Sequence, residues 1–209
     1  MTKQQVLAQL KHAGVVAVMR KMTPDRVIEI VEALKEGGVT AVEITVEGKG
    51  GMESIKVVKD HFGDALLVGA GTVLDNPTAK QAIEVGADFI VTPIVSKEVI
   101  QVANEKDCLI ASGAMTPTEI YTAYQAGATI VKVFPADSLG PAYLKNIQGP
   151  LSHIPLMPTG GINLDNMGAY VKSGAICIGV GSAIYQYDTP EEIKKAAEAF
   201  VSAYRNAIE

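Results

Sequence analysis

The segment QAGATIVKVFPAD, residues 125–137, joins a helix end, a glycine and an apolar β-branched run with a lysine at its centre. Lys132 is flanked by Ile130, Val131, Val133 and Phe134. A buried ammonium is costly unless it is paired or neutralised. A lysine at this position therefore needs either a partner or a task.

The same pattern recurs in EGGVTAVEIT (36–45), EVGADFIVTP (84–93) and KSGAICIGVG (172–181). With Gly38, Gly86, Gly127 and Gly174 as equivalent positions, each copy lies two strand–helix units after the last. The full set of apolar runs is VVAVM (15–19), AVEIT (41–45), LLVGA (66–70), DFIVT (88–92), CLIAS (108–112), TIVKVF (129–134), PLMPT (155–159) and ICIGV (176–180). Helix-period segments separate them. TPDRVIEIVEALKEGG opens on Thr-Pro and closes on Gly, and TPTEIYTAYQAG and DTPEEIKKAAEAFVSAYRNAIE open the same way. MTKQQVLAQLKHAG reads as one more amphipathic helix, with Val6, Leu7 and Leu10 on one face. Continuously apolar strands in strict alternation with helices imply a parallel sheet covered by helices. Eight such units predict an α/β chain forming a single (β/α)8 TIM barrel over residues 1–209, with an extra N-terminal helix.

Strand alternation then orients the side chains. Outward residues face helices and must be apolar, so Val131 and Val133 point out and Ile130, Lys132 and Phe134 point in. In the second run Val42 and Ile44 point out, and Ala41, Glu43 and Thr45 point in. Five residues after the repeat glycine stand Glu43, Val91, Lys132 and Gly179; seven after it stand Thr45, Pro93, Phe134 and Gly181. Alternate strands of this architecture supply the same interior layer. Glu43 and Lys132 are thus expected in one layer, with space left beside them by glycine.

Two readings of that pair stay open. One is a structural ion pair, or a lysine reaching up to the rim. The other is chemistry: a desolvated amine loses its proton more easily and attacks a carbonyl to form a Schiff base, with a nearby carboxyl group moving protons.

Composition narrows the partners. Net charge is −5 and no basic run exists, which argues against nucleic acid. The apolar runs are strand-length, too short to cross a membrane. The first residues lack the long apolar stretch of a secretory signal. Cys108 and Cys177 form no framework, so a cytoplasmic, reducing setting is expected. His12, His61 and His153 have no metal-ligand spacing, so no metal and no other cofactor is expected.

Ligand handles belong at the carboxyl ends of the strands. MPTGGINLDN (157–166) ends the seventh run with Thr159, Gly160 and Gly161, and GVGSAIY (179–185) ends the eighth with Gly181 and Ser182. Each is expected to lead into a helix and to offer backbone N–H groups to a phosphate or carboxylate. Each alone is equally well a tight turn. GAGTV (69–73) ends the third run with the Thr72 hydroxyl, either a ligand contact or a helix cap. Arg20 ends the first run, where an arginine suits a substrate carboxylate.

In this order and spacing, VAVMR, VEIT, GAGTV, FIVTP, VKVFPA, PTGGI and GVGSA resemble the bacterial KDPG/KHG aldolase family across almost the whole chain. VKVFPA with PTGGI is the specific part. The resemblance implies a class I aldolase that cleaves 2-keto-3-deoxy-6-phosphogluconate or 4-hydroxy-2-oxoglutarate to pyruvate and an aldehyde, on a barrel that assembles as a homotrimer. It implies Lys132 as the Schiff-base lysine and Glu43 as the acid/base. Thr72, Pro93 and Phe134 match residues lining the pyruvate end. Thr159, Gly160, Gly161 and Ser182 match the distal phosphate or carboxylate site. One position departs: Glu47 stands where many members carry a carboxylate-binding arginine. The expectation is that Glu47 turns outward and that Arg20, with Thr72, takes the carboxylate. A phosphate-binding isomerase or synthase barrel would account for the two loops equally well. So would a catalytically silent sugar-acid-binding barrel, but neither needs Lys132 and Glu43 in one layer.

Overall fold

The computed structural model of the protein describes residues 1–209. Its strands are β1 (Val15–Met19), β2 (Ala41–Thr45), β3 (Leu67–Gly71), β4 (Phe89–Val91), β5 (Leu109–Ala114), β6 (Ile130–Val133), β7 (Leu156–Pro158) and β8 (Ile178–Val180). All are parallel, in the order β7-β6-β5-β4-β3-β2-β1-β8. The ring is completed between β7 and β8 by the bridges Leu156–Ala175 and Thr159–Gly179, with Ile176 N–H donating to Leu156 O at 3.0 Å. The expected (β/α)8 barrel is therefore present.

Nine helices accompany the strands: α1 (Lys3–Ala13), α2 (Pro24–Glu36), α3 (Gly51–Phe62), α4 (Asn76–Glu84), α5 (Lys97–Glu105), α6 (Pro117–Gln125), α7 (Pro141–Gln148), α8 (Met167–Lys172) and α9 (Pro190–Ile208). The Thr-Pro starts are real helix starts. Thr116 with Glu119 and Thr189 with Glu192 form complete capping boxes on α6 and α9, whereas Thr23 makes no side-chain cap on α2. The four repeat glycines have φ of 92°, 101°, 99° and 98° at Gly38, Gly86, Gly127 and Gly174. A left-handed residue there turns the chain from helix into the next strand, which explains why the repeat keeps a residue without Cβ.

The alternation read from the sequence holds. Val42, Ile44, Val131 and Val133 belong to the outer core between sheet and helices. Ala41, Leu67, Phe89, Val91, Leu109, Ala111, Ile130, Met157 and Cys177 fill the inside of the barrel. The extra helix α1 belongs to this inner cluster, because Val6 and Leu10 pack into it and close the amino end of the barrel. No helix is long and apolar enough to cross a membrane.

Two local expectations are corrected. The loop after β7 does not lead straight into a helix: α8 begins only at Met167 and has six residues. After β8 comes a 3-10 turn, Ser182–Ile184, rather than an α-helix. Neither loop has an α-helix dipole immediately behind it, so an anion there would rely on the loop N–H groups and neighbouring side chains. Thr72 is not a helix cap either, since Asp75 caps α4 by accepting from Thr78 N–H at 2.8 Å.

Candidate active site

Lys132 and Glu43 meet inside the barrel. Lys132 Nζ donates to Glu43 Oε1 at 3.3 Å, and the residues are 3% and 0% exposed. Lys132 is flanked in register by Gly113 on β5 and Met157 on β7, so one side of it carries no side chain. The Phe134 ring lies above, its centroid 5.4 Å from Nζ. Glu43 takes its position from the glycines of β3. A Cβ on Gly71 would collide with its carboxylate, so only glycine there lets the side chain fold over β3.

One oxygen of this pair and several hydroxyls elsewhere in the protein are buried without a partner. Glu43 Oε2, Thr45 Oγ1 and Thr159 Oγ1 are buried without a hydrogen-bond partner in the protein. Each such atom costs about 1–3 kcal/mol when left unmet. The free Glu43 oxygen leaves the carboxylate able to serve a polar reactant as well as Lys132.

A cavity of about 270 Å³ opens toward the carboxyl ends of β6, β7, β8 and β1. It is lined by seven of the residues singled out from sequence: Arg20, Phe134, Thr159, Gly160, Gly161, Gly181 and Ser182. Gly160 and Gly161 have φ of 100° and 66°, and neither N–H donates to a backbone or side-chain acceptor of the protein. Free N–H groups in a left-handed loop form a small anion cradle. Thr159 closes over Gly179, where a Cβ would collide with its Oγ1. Lys132 and Glu43 lie deeper and do not line the cavity. A larger groove of about 550 Å³ sits outside the barrel between the start of α2 and the segment after β8, and it contains none of the expected site residues.

Thr72 and Pro93 stand apart from this cavity, after β3 and β4. Thr72 has φ 58°, an outlier for a β-branched residue, and its hydroxyl makes no hydrogen bond. Such strain is retained chiefly where function requires it. Pro93 is fixed against β5: Gly113 packs on its backbone, while Thr92 Oγ1 accepts from Gly113 N–H at 3.1 Å and donates to Ile94 O at 2.6 Å.

The arginine differs from expectation. Arg20 lies with Thr159, Gly160, Gly161 and Ser182 rather than with Thr72. Glu47 is not among the residues lining this cavity, and Arg20 Nη1 donates to its Oε1 at 3.3 Å. The acid at position 47 is thus neutralised at the rim by the arginine that lines the cavity. The residue that sequence reasoning passed over is Thr45. Its inward direction was readable from alternation, but its unpartnered hydroxyl was not.

Comparison with known proteins gives a consistent set. Residues 6–199 match the family described as Aldolase: KDPG and KHG aldolase. The 2-dehydro-3-deoxy-6-phosphogalactonate aldolase of Escherichia coli (strain K12) is 35% identical over 196 residues, covering 93% of this chain and 96% of that one. The 2-dehydro-3-deoxy-phosphogluconate aldolase of Pseudomonas aeruginosa is 36% identical over 167 residues, covering 78% and 76%. Among solved structures, a KDPG aldolase from Legionella pneumophila superposes with a TM-score of 0.86 at 25% identity, covering 95% of this chain and 98% of that one. That structure holds pyruvate captured at low pH as a covalent carbinolamine intermediate.

Proposed function

Since the chain belongs to the KDPG and KHG aldolase family, we propose that its barrel cleaves a 4-hydroxy-2-keto acid through a Schiff base on Lys132. The observation that carries this reading is the buried Lys132–Glu43 contact at 3.3 Å, with Glu43 Oε2 still free for a reactant.

The Lys132–Glu43 contact supports the first steps of that chemistry. The Lys132 ammonium must release a proton before it can attack, and Glu43 Oε1 is the acceptor within reach. The free amine adds to the C2 ketone. Glu43 returns a proton to the carbinolamine oxygen, which leaves as water and gives the iminium. Glu43, a carboxylate again, takes the C4 hydroxyl proton, and the C3–C4 bond breaks with its electron pair moving into the iminium. An aldehyde departs, and the enamine is protonated at C3 and hydrolysed to pyruvate. The iminium is the electron sink throughout, so the residues named need no metal or organic cofactor.

The substrate is bound at two ends in this reading. Thr72, Pro93 and Phe134 surround the pyruvate half. Gly160, Gly161, Gly181 and Ser182, with Arg20, receive a distal phosphate or carboxylate. The candidates are 2-keto-3-deoxy-6-phosphogluconate, its galactonate epimer and 4-hydroxy-2-oxoglutarate, releasing glyceraldehyde 3-phosphate from the first two and glyoxylate from the last. We take residues 1–209 as one catalytic domain. A homotrimer follows from the family resemblance, and Leu74, Ile94 and Met115, exposed on the loops after three adjacent strands, offer an apolar face on which copies can meet. Two free, buried cysteines suit a reducing cytoplasm.

Borohydride reduction in the presence of pyruvate, followed by peptide mapping, tests the reading. A reduced pyruvate adduct on Lys132 is the expected result. Folded protein with saturating pyruvate and no adduct would remove the Schiff-base mechanism.

A further inference from the structure

Two loops meet at the rim of the barrel, after β1 and after β2. The second, residues 46–50, is closed tightly, since a Cβ on Gly51 would collide with Thr45 O. It lies along the segment that follows β1. A Cβ on Gly48 would stand 3.5 Å from Lys21 Cα, and one on Gly50 would stand 3.3 Å from Pro24 Cδ. This contact of loop on loop brings Glu47 to Arg20, whose Nη1 donates to Glu47 Oε1 at 3.3 Å. The arginine backbone is held as well, its N–H donating to the hydroxyl of the buried Tyr185 at 3.1 Å. Arg20 is the only charged residue lining the cavity of about 270 Å³, and its ion pair is with Glu47 alone. The charge that a distal group meets is therefore set by this pair. A lone guanidinium favours a phosphate dianion over an uncharged hydroxyl. A carboxylate in contact with it subtracts from that field, so the dianion gains less while the hydroxyl loses nothing. A terminal hydroxyl is still served by the free N–H groups of Gly160 and Gly161.

We propose that Glu47 is a specificity-determining residue: through its pair with Arg20 it lowers the advantage of phosphate at the distal end, so that the cavity also takes unphosphorylated 2-keto-3-deoxy acids ending in a hydroxyl. The inference deepens the aldolase reading above and rests on it. Glu47 acts through Arg20 and not on the reacting atoms. Its effect belongs in KM for the group that carries the distal charge.

The test compares Glu47→Gln, which keeps the shape and removes the charge, with Glu47→Asp, which keeps the charge. Each is assayed in the condensation of pyruvate with D-glyceraldehyde 3-phosphate and with D-glyceraldehyde, a pair that differs only in the phosphate. The quantity read is the ratio of the two kcat/KM values, phosphorylated over unphosphorylated. In Glu47→Gln this ratio is expected to rise about three- to tenfold at low ionic strength, the effect of removing one like charge at a solvated rim. The rise should come from a lower KM for the phosphorylated aldehyde, and the gap to the parent should shrink in about 0.5 M salt. The aspartate variant should stay within about twofold of the parent ratio, because its charge remains at the rim. A ratio in Glu47→Gln within about twofold of the parent overturns the inference. So does an equal rise in both variants, which would mark lost loop packing, and so does a rise that salt leaves intact. An active parent with an unmoved ratio sinks this inference alone. A parent that forms no borohydride-trapped adduct with pyruvate sinks the aldolase reading, and this inference with it.

Discussion

At the residue scale, the decisive contact is between one lysine and one glutamate that contribute nothing comparable apart. Lys132→Arg keeps a cation for Glu43 but cannot form a Schiff base. It should abolish the trapped adduct and lower kcat by on the order of 10³-fold or more, with little change in the circular dichroism spectrum. Glu43→Gln keeps the shape over Gly71 and loses the titratable group, so adduct formation should persist slowly while kcat falls by about 10²–10⁴. Arg20 poses a question of which anion it serves. Its place beside Gly160, Gly161 and Ser182 favours the distal one. Arg20→Ala, assayed in the condensation direction, should raise KM for the phosphorylated aldehyde more than KM for pyruvate. The opposite order would restore Arg20 to the substrate carboxylate. Glu47 contributes little to stability in either case, because the pair is half-exposed and such pairs are worth roughly 0–1 kcal/mol.

At the element scale, the helices owe their limits to local chemistry and their existence to packing. The α9 helix starts at a complete capping box and buries Ile193, Ala197, Phe200, Val201 and Tyr204 against the barrel. Thr189→Ala removes one acceptor and half of the reciprocal pair. It should cost about 1 kcal/mol and lower Tm by about 2–4 °C in a chain of this size, leaving kcat unchanged. The cap was readable because it is a four-residue pattern. The loops after β7 and β8 were not readable to the same degree. Gly160 and Gly161 announce a turn, but the residue at which the chain re-enters a helix depends on Asn163, whose Oδ1 accepts from Asp165 and Asn166 N–H at 3.0 and 3.2 Å and delays α8 to Met167. That is a competition between side-chain and helical hydrogen bonds, and periodicity does not report it.

At the scale of the whole molecule, the barrel protects its own interior. Cys108 and Cys177 are buried, and burial pushes both thiols up to about 12. Far below that pH both are neutral thiols, so neither should react with a disulfide reagent at pH 8 while the protein is folded. Both should react at once in denaturant, and a stoichiometric native reaction would contradict the burial. The amino end of the barrel is closed by α1 through Val6 and Leu10. Leu10→Ala should destabilise by roughly 2–5 kcal/mol, read from chemical denaturation, while the adduct on Lys132 still forms in the folded fraction.

The sequence by itself determined the alternation of strands and helices, the inward direction of Lys132, Glu43 and Thr45, and the two glycine loops at the catalytic end. These are legible because side-chain period, helix caps and left-handed glycines are local properties, repeated four times in this chain. Only the tertiary structure decided that Glu43 folds over Gly71 to meet Lys132, that Arg20 pairs with Glu47 beside the anion loops, and that Thr45 is left with an unpaired hydroxyl. Those facts depend on which strands become neighbours and on the volume each side chain leaves to the next. Both arise when the ring closes, and neither is carried by a residue in its own segment.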